Sequence, residues 1–211
     1  MEIPHFPESN HLLVQWLSHH SDRELLALFR RYPEQGKYFT AIFCRYSPIV
    51  YTLISHSVRS PVQADYLFAL TWRQIFSQMR GLILGGERDA QSHSFQTWLI
   101  DLTAVYIQQA ELPPAESINY DLKAAPPPLW CYLEQALELL PPMIRFILVM
   151  AEKFHCSTTQ IVAYLQAQGE ILSPAEVQSW LHQGHQILEA ALPEDIRIIY
   201  LGKPASSKSE K

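Results

Sequence analysis

Apolar residues recur along this chain mostly at helical spacing, and no segment shows the strict alternation of a half-buried strand. The N-terminal half predicts four helices, over about residues 11–31, 33–57, 61–82 and 94–112. The first is expected to break near Ser21-Asp22, and Pro48 is expected to kink or divide the second. The predicted fold class is therefore all-α.

The clearest helix signals lie between Leu140 and Leu192. Ser157 and Gln160 have the spacing of a capping box, and Ser173, Pro174 and Glu176 form a stronger helix start. These signals predict helices over about 157–166 and 174–192, behind the apolar segment LPPMIRFILVM. Two short helices behind a third predict a helix-turn-helix, whose last helix can enter a DNA major groove.

Proline divides the chain into two predicted helical domains. Residues 112–128 contain five prolines, which favour extended chain, so we interpret this stretch as a linker. The predicted parts are an N-terminal arm with the start of the first helix (1–21), a helical domain (22–111), the linker (112–128), a helix-turn-helix domain (129–192) and a C-terminal segment with a solvated tail (193–211). Residues 85–89 predict a turn, and one interpretation of the apolar residues at 196–201 is a segment packed back on the domain.

Composition limits the partners of this chain. The formal net charge is −5, whereas a specific DNA-binding protein usually shows a basic stripe, so the balance argues against tight, autonomous DNA binding. The three widely spaced cysteines favour reduced core thiols in a cytosolic protein. The acidic, proline-containing start is unlike a signal peptide, and no apolar run approaches the ~20 residues of a membrane span. We expect a cytoplasmic protein without a membrane partner.

The C-terminal blocks LPPMIRFILVM, STTQIVAYLQ and SPAEVQSWLHQGHQIL resemble region 4 of bacterial RNA polymerase sigma factors of the extracytoplasmic-function type. The match from Leu140 to Leu165 needs no gap, but AQGEIL makes the turn between the last two helices longer than the family's tight turn. The resemblance implies that the last helix contacts the −35 promoter element. The residues implied are Ser173, Glu176, Gln178, Ser179, His182, Gln183 and His185.

Three N-terminal blocks, FTAIFCRYSPIVYTLI, ADYLFALTW and SHSFQTWLIDL, are similar to region 2 of the same family, in the family's order. The resemblance covers roughly residues 22–192. It implies a contact with core RNA polymerase at Asp65, Tyr66, Ala69, Leu70 and Arg73. It also implies that Phe95, Gln96 and Trp98 read the −10 element: Phe95 and Trp98 could stack on unpaired bases, although a tryptophan such as Trp98 is more often a core residue.

The chain departs from the family where DNA contacts are expected. Gln178, Trp180, Gln183 and His185 stand at positions that are basic in the family, and Arg145 and Lys153 are the only arginine and lysine between residues 129 and 192. Each lost phosphate contact removes counterion release and lowers affinity at cellular salt. Gln178 and Gln183 could still read adenine edges.

Other chemistry has little support in the sequence. His182, His185 and Glu189 share a helix face and could hold a metal, but no fourth ligand is visible, so no metal and no cofactor are predicted. The chain has neither a nucleophile elbow nor a glycine-rich phosphate loop, which argues against an enzyme.

Two functions remain open. The first is a sigma factor that directs core RNA polymerase to promoter DNA and is controlled by an anti-sigma or other regulatory protein. The alternative is a sigma-like regulatory interaction protein that keeps the fold and has lost promoter binding.

Overall fold

The computed structural model describes residues 3–82 and 94–202, and all regular structure within these ranges is helical, which confirms the all-α class. The helices are α1 (Leu12–Gln15), α2 (Asp22–Arg31), α3 (Lys37–Ser55), α4 (Pro61–Met79), α5 (Phe95–Gln109), α6 (Pro127–Glu138), α7 (Pro142–Glu152), α8 (Thr158–Ala167), α9 (Pro174–Ala191) and α10 (Glu194–Ile196). Short 3₁₀ turns occur at Pro7–Asn10 and Ala115–Ser117, and a π-helical turn at Arg197–Leu201 follows α10. The predicted turn at 85–89 and the predicted solvated tail lie outside the described residues.

The chain forms two compact units. Unit 1 comprises Met1–Cys131 together with Glu194–Lys211, and unit 2 comprises Tyr132–Pro193. The chain thus leaves unit 1 within α6 and returns to it at α10. The predicted domains begin and end at other residues, and their sigma-type arrangement stays a prediction. None of the helices in the described ranges combines the length and the apolar character that crossing a membrane requires.

Helix α3 is the centre of unit 1 and contacts α1, α2, α4 and α5. Its aromatic side chains pack against those of α4: the ring centroids of Phe39 and Phe76 lie 4.6 Å apart, and those of Phe43 and Trp72 lie 5.0 Å apart. Helix α3 continues through Pro48, so of the two expected effects of this proline, a kink or a division of the helix, division does not occur. Pro48 lies on the exposed side, and a single missing N–H leaves the rest of the helical hydrogen bonds in place.

The first predicted helix is interrupted, as expected, between α1 and α2. Ser21 caps α2: its backbone N–H donates to Glu24 Oε2 at 2.7 Å, and the Glu24 N–H donates to Ser21 Oγ at 3.3 Å. Asp22 then fixes α2 on α3, because its carboxylate accepts from Arg45 Nη1 at 2.6 Å and from the Tyr46 hydroxyl at 2.5 Å.

The proline-rich segment is not an extended linker throughout. Pro127 and Pro128 open α6, so the interpretation of these residues as extended linker is wrong. The physical reason is that proline suits the first helical turn, where its missing N–H would have no partner in any case. Upstream, the Tyr120 ring packs 5.3 Å from that of Trp130, and Gln63 Nε2 donates to the Pro113 carbonyl at 2.9 Å.

Candidate functional site

Three helices of unit 2, α7, α8 and α9, enclose a small apolar core. Its buried residues are Ile147, Ile161, Val162, Leu165 and Val177. Both predicted capping boxes are confirmed. The Ser157 N–H donates to Gln160 Oε1 at 2.8 Å, and the Ser173 N–H donates to Glu176 Oε2 at 2.7 Å. These caps fix where α8 and α9 begin.

The long turn between α8 and α9 is ordered by its own backbone. The Gly169 N–H donates to the Gln166 carbonyl and the Glu170 N–H donates to the Leu165 carbonyl, both at 3.0 Å, which is a Schellman motif. Gly169 has φ +89°, a conformation that side chains rarely adopt. Beyond it Ile171 is 90% exposed, whereas Leu172 is half-buried and packs against the apolar core of unit 2.

Helix α9 presents a polar face to solvent. Five of the seven residues predicted to contact DNA lie exposed along it: Gln178, Ser179, His182, Gln183 and His185. The other two, Ser173 and Glu176, are exposed at the helix start but are engaged in the capping box. The hydrogen bonds that the Glu176 carboxylate accepts from the Ser173 N–H and hydroxyl lower the pKa of Glu176. The available face of α9 therefore offers amide, hydroxyl and imidazole groups.

Buried Gly184 allows α9 to approach α7 closely. A Cβ atom at this position would lie 3.0 Å from Ile144 Cγ2 and 3.4 Å from Leu148 Cδ1. On the exposed side, His185 Nε2 lies 3.0 Å from Glu152 Oε1 of α7, and His182 Nε2 lies 3.0 Å from Gln186 Nε2 of α9 itself. The position of the exposed face is thus set by packing against α7.

The charge of unit 2 is unlike that of a DNA-binding surface. Helices α8 and α9 contain neither lysine nor arginine. Arg145 is half-buried, with Nη2 donating to the Leu140 carbonyl at 3.4 Å, and Lys153 is exposed at the end of α7. The carboxylates outnumber these two cations: Glu134, Glu138, Glu152, Glu170, Glu176 and Glu189.

The predicted polymerase-binding residues lie on α4 with unequal exposure. Arg73 is exposed, whereas Asp65, Tyr66 and Leu70 are half-buried. Ala69 has no exposed area, so it offers no surface to a partner in this structure; it lies on the side of α4 that packs into the core.

Asp65 and Tyr66 of this set contact other side chains of unit 1. The Tyr51 hydroxyl donates to Asp65 Oδ1 at 2.8 Å. Burial raises the pKa of Asp65, and the hydrogen bond from Tyr51 partly offsets that rise. The Tyr66 ring lies 6.1 Å from that of Tyr120.

The three residues predicted to read the −10 element also differ in exposure. Gln96 is exposed at the start of α5, and Trp98 is half-buried. Phe95 is only 2% exposed and packs against Tyr46, with ring centroids 5.4 Å apart. In this structure the buried Phe95 ring therefore has no free face on which a base could stack.

Sequence reasoning missed a cleft of about 1060 Å³ in unit 1. Carboxylates and tyrosines line it, including Glu8, Asp65, Asp121, Tyr51 and Tyr200. These residues are far apart in sequence and carry no shared motif, so only the folded chain brings them together. Burial raises the pKa of Glu8.

No metal site is visible in the described parts of the chain. No group of three or more histidine, cysteine or carboxylate side chains converges there, and the weak candidate formed by His182, His185 and Glu189 is not such a group. No disulfide joins Cys44, Cys131 and Cys156, all of which lie within the described ranges.

Comparison with known proteins found no matching protein-family model, no matching curated protein and no matching solved structure. The resemblance to sigma factors therefore rests on the sequence blocks alone.

Proposed function

We propose that this chain is a sigma-type protein that binds core RNA polymerase and takes part in promoter selection at transcription initiation. The observation that supports it most is the three-helix arrangement of α7, α8 and α9, in which two separately capped helices follow a third and the last presents an exposed polar face. This arrangement occurs in the part of the chain whose sequence resembles region 4. The protein makes and breaks no bond in this role, because its work is binding.

The chemistry of α9 indicates how such a protein would use DNA. The exposed amides of Gln178 and Gln183 can each donate to and accept from an adenine edge in the major groove. The missing cations remove most of the phosphate contacts that position a free protein on a duplex. Promoter contact by α9 therefore depends on the polymerase, which raises the effective concentration of DNA near the helix.

The test is transcription in vitro with purified core RNA polymerase, a fragmented genomic DNA library and the full chain. We expect transcription start sites that appear only when the chain is added. The double variant Gln178→Ala, Gln183→Ala is expected to weaken or shift these starts, whereas Gln166→Ala, Gln168→Ala at exposed positions of α8 and its end leaves them unchanged. Start sites that are identical with and without the chain would contradict the proposal.

A second candidate is a sigma-like regulatory protein that binds a protein partner and no promoter. The absence of lysine and arginine from α8 and α9 favours it. Salt-dependent retention on duplex DNA or heparin distinguishes the candidates, because electrostatic contacts to phosphate weaken steeply with salt. Retention supports promoter contact; absence of retention at low salt, together with a co-purifying protein partner, supports the regulatory protein.

A further inference from the structure

The cleft of unit 1 is built from segments that are distant in the sequence. Its walls come from the N-terminal residues before α1, from α3 and α4, from α6 and the loop before it, and from the C-terminal turn, all of which belong to unit 1. Its volume of about 1060 Å³ lies at the top of the range for small-molecule sites, roughly 300–1,000 Å³. The cleft is therefore large enough to hold a small organic molecule.

The lining of the cleft combines apolar surface with an excess of acid. The apolar surface comes from side chains of every segment except α3 and α4, including Pro4, Phe6, Leu122, Leu129 and Ile199. The described residues that line the cleft include three carboxylates, Glu8, Asp65 and Asp121, and one lysine, Lys123. A concave surface with net negative charge attracts cations.

Glu8 is a buried carboxylate without a cationic partner at hydrogen-bond distance. It is only 4% exposed, and the Tyr200 hydroxyl donates to its Oε1 at 3.2 Å. Burial has the largest effect on the pKa of Glu8 and raises it, whereas the backbone N–H of Glu8, the Tyr200 hydroxyl and His5 lower it. No lysine or arginine of the described chain contributes to this compensation. Because an ionised carboxylate removed from water is unfavourable unless it is paired, a cation bound in the cleft would stabilise the charged form of Glu8.

The other two carboxylates of the cleft have a lysine beside them. Asp65 Oδ1 accepts from the Tyr51 hydroxyl at 2.8 Å. Burial and Asp121 raise the pKa of Asp65, whereas Tyr51 and Lys123 lower it. This pair adds negative potential that Lys123 partly compensates, so Glu8 is the better partner for a cation.

The lining favours an organic cation over a metal ion. No three histidine, cysteine or carboxylate side chains converge anywhere in the described ranges, and a metal ion held by protein side chains usually takes several such ligands. An organic ammonium ion needs a single carboxylate for its charge and apolar surface for the rest of the molecule, and the cleft offers both.

We propose that the cleft of unit 1 binds a small organic ammonium ion with an apolar body, whose ammonium group pairs with Glu8. The site is independent of the proposed function, because every residue that lines it belongs to unit 1 and ligand binding is measured without polymerase or DNA.

The first experiment titrates the full chain at low salt with three probes that share a phenethyl body, and follows binding by ligand-observed NMR. Phenethylamine carries a positive charge, phenethyl alcohol none and phenylacetate a negative one. We expect phenethylamine to bind saturably with a Kd on the order of 1 mM. The alcohol is expected to bind about tenfold more weakly, since it lacks a charge-assisted hydrogen bond, and phenylacetate not measurably. Tryptamine and hexylamine repeat the amine titration with other apolar bodies.

The second experiment places the ligand in the cleft with matched variants. Glu8→Gln keeps the shape of the side chain and is expected to weaken phenethylamine binding about tenfold while leaving the affinity for phenethyl alcohol unchanged. Glu34→Gln removes an exposed carboxylate outside the cleft and should leave both affinities unchanged. Ala124→Trp fills the cleft from an exposed position and is expected to abolish binding of both probes, whereas Ala104→Trp, at an exposed position of α5, has no effect.

Three results would overturn the proposal. Equal affinities for phenethylamine and phenethyl alcohol would show that the cleft does not recognise the positive charge. Amine binding that neither Glu8→Gln nor Ala124→Trp changes would place the ligand outside the cleft. Absence of saturable binding by all three amines would show that the cleft is not a site for this class of ligand. Ala124→Trp leaves Glu8 intact, so it provides the test if Glu8→Gln does not fold.

Discussion

The close approach of α7 and α9 predicts a graded response to side chains at position 184. Gly184 is buried, and an added Cβ would lie 3.0 Å from Ile144 Cγ2, closer than ordinary van der Waals contact. The Ile144 methyl group branches directly from Cβ, so it has few other rotamers available. Substitution at 184 must therefore move a side chain or the helix.

Two opposing effects set the magnitude. Alanine gains ~1 kcal/mol over glycine from helix propensity. Overpacking a core contact costs ~1–3 kcal/mol. Gly184→Ala is then expected to lie between neutral and a loss of ~2 kcal/mol in the free energy of unfolding. Gly184→Val adds two more methyl groups near Ile144 and Leu148 and is expected to lose ~3 kcal/mol.

Urea unfolding followed by circular dichroism measures the effect. Gly81→Ala is the control, because a Cβ at that glycine would meet no atom within 4 Å. We expect the order of stability to be control, Gly184→Ala and then Gly184→Val. A Gly184→Val chain with the unfolding midpoint of the unchanged protein would refute the close packing of α7 and α9.

Three further predictions concern charge. The raised pKa of Glu8 means that the folded chain binds its proton more tightly than the unfolded chain does, so stability falls as pH rises above about 4.5. Glu8→Gln is therefore expected to gain melting temperature relative to the unchanged chain between about pH 4 and about pH 7. Asp22→Ala leaves Arg45 without its carboxylate partner and is expected to lower the melting temperature by ~2–4 °C. Gln178→Lys with Gln183→Arg is expected to increase retention on duplex DNA and to steepen the dependence of log K on log salt by up to ~1.8, at about 0.9 for each phosphate contact.

Matched variants control for general effects of these changes. Glu34→Gln removes an exposed carboxylate and should show no gain at higher pH. Gln166→Lys with Gln168→Arg adds the same charges away from the exposed face of α9 and should steepen the salt dependence less. An equal response in the two charge-added pairs would mean that the face of α9 does not contact the duplex.

Local chemistry made the helix starts of this chain predictable. Ser157 and Ser173 form the capping boxes predicted for them, because a capping box involves residues only three positions apart. At Ser21 only the break in the helix was predicted, and the structure adds the cap. Pro127 and Pro128 were wrongly assigned to an extended linker. Proline disrupts the interior of a helix but is favoured in its first turn, so the local sequence does not distinguish the two cases. The tertiary packing of α6 decides between them.

The candidate sites were predictable only in part. The polar residues of α9 followed from helical spacing, so their exposure was implied by the pattern of the apolar residues between them. Burial of Phe95 and Ala69 depends on neighbours from other helices and was missed. The contacts of Asp195 with Gly36 and of Tyr200 with Glu8 join residues that are far apart in the sequence, so no local sequence pattern predicts them.

Equilibrium binding of the labelled full chain to purified core RNA polymerase tests the central claim most directly. The account predicts saturable binding that an excess of an established sigma factor displaces. Absence of binding at moderate salt, or binding that a sigma factor does not displace, would contradict it.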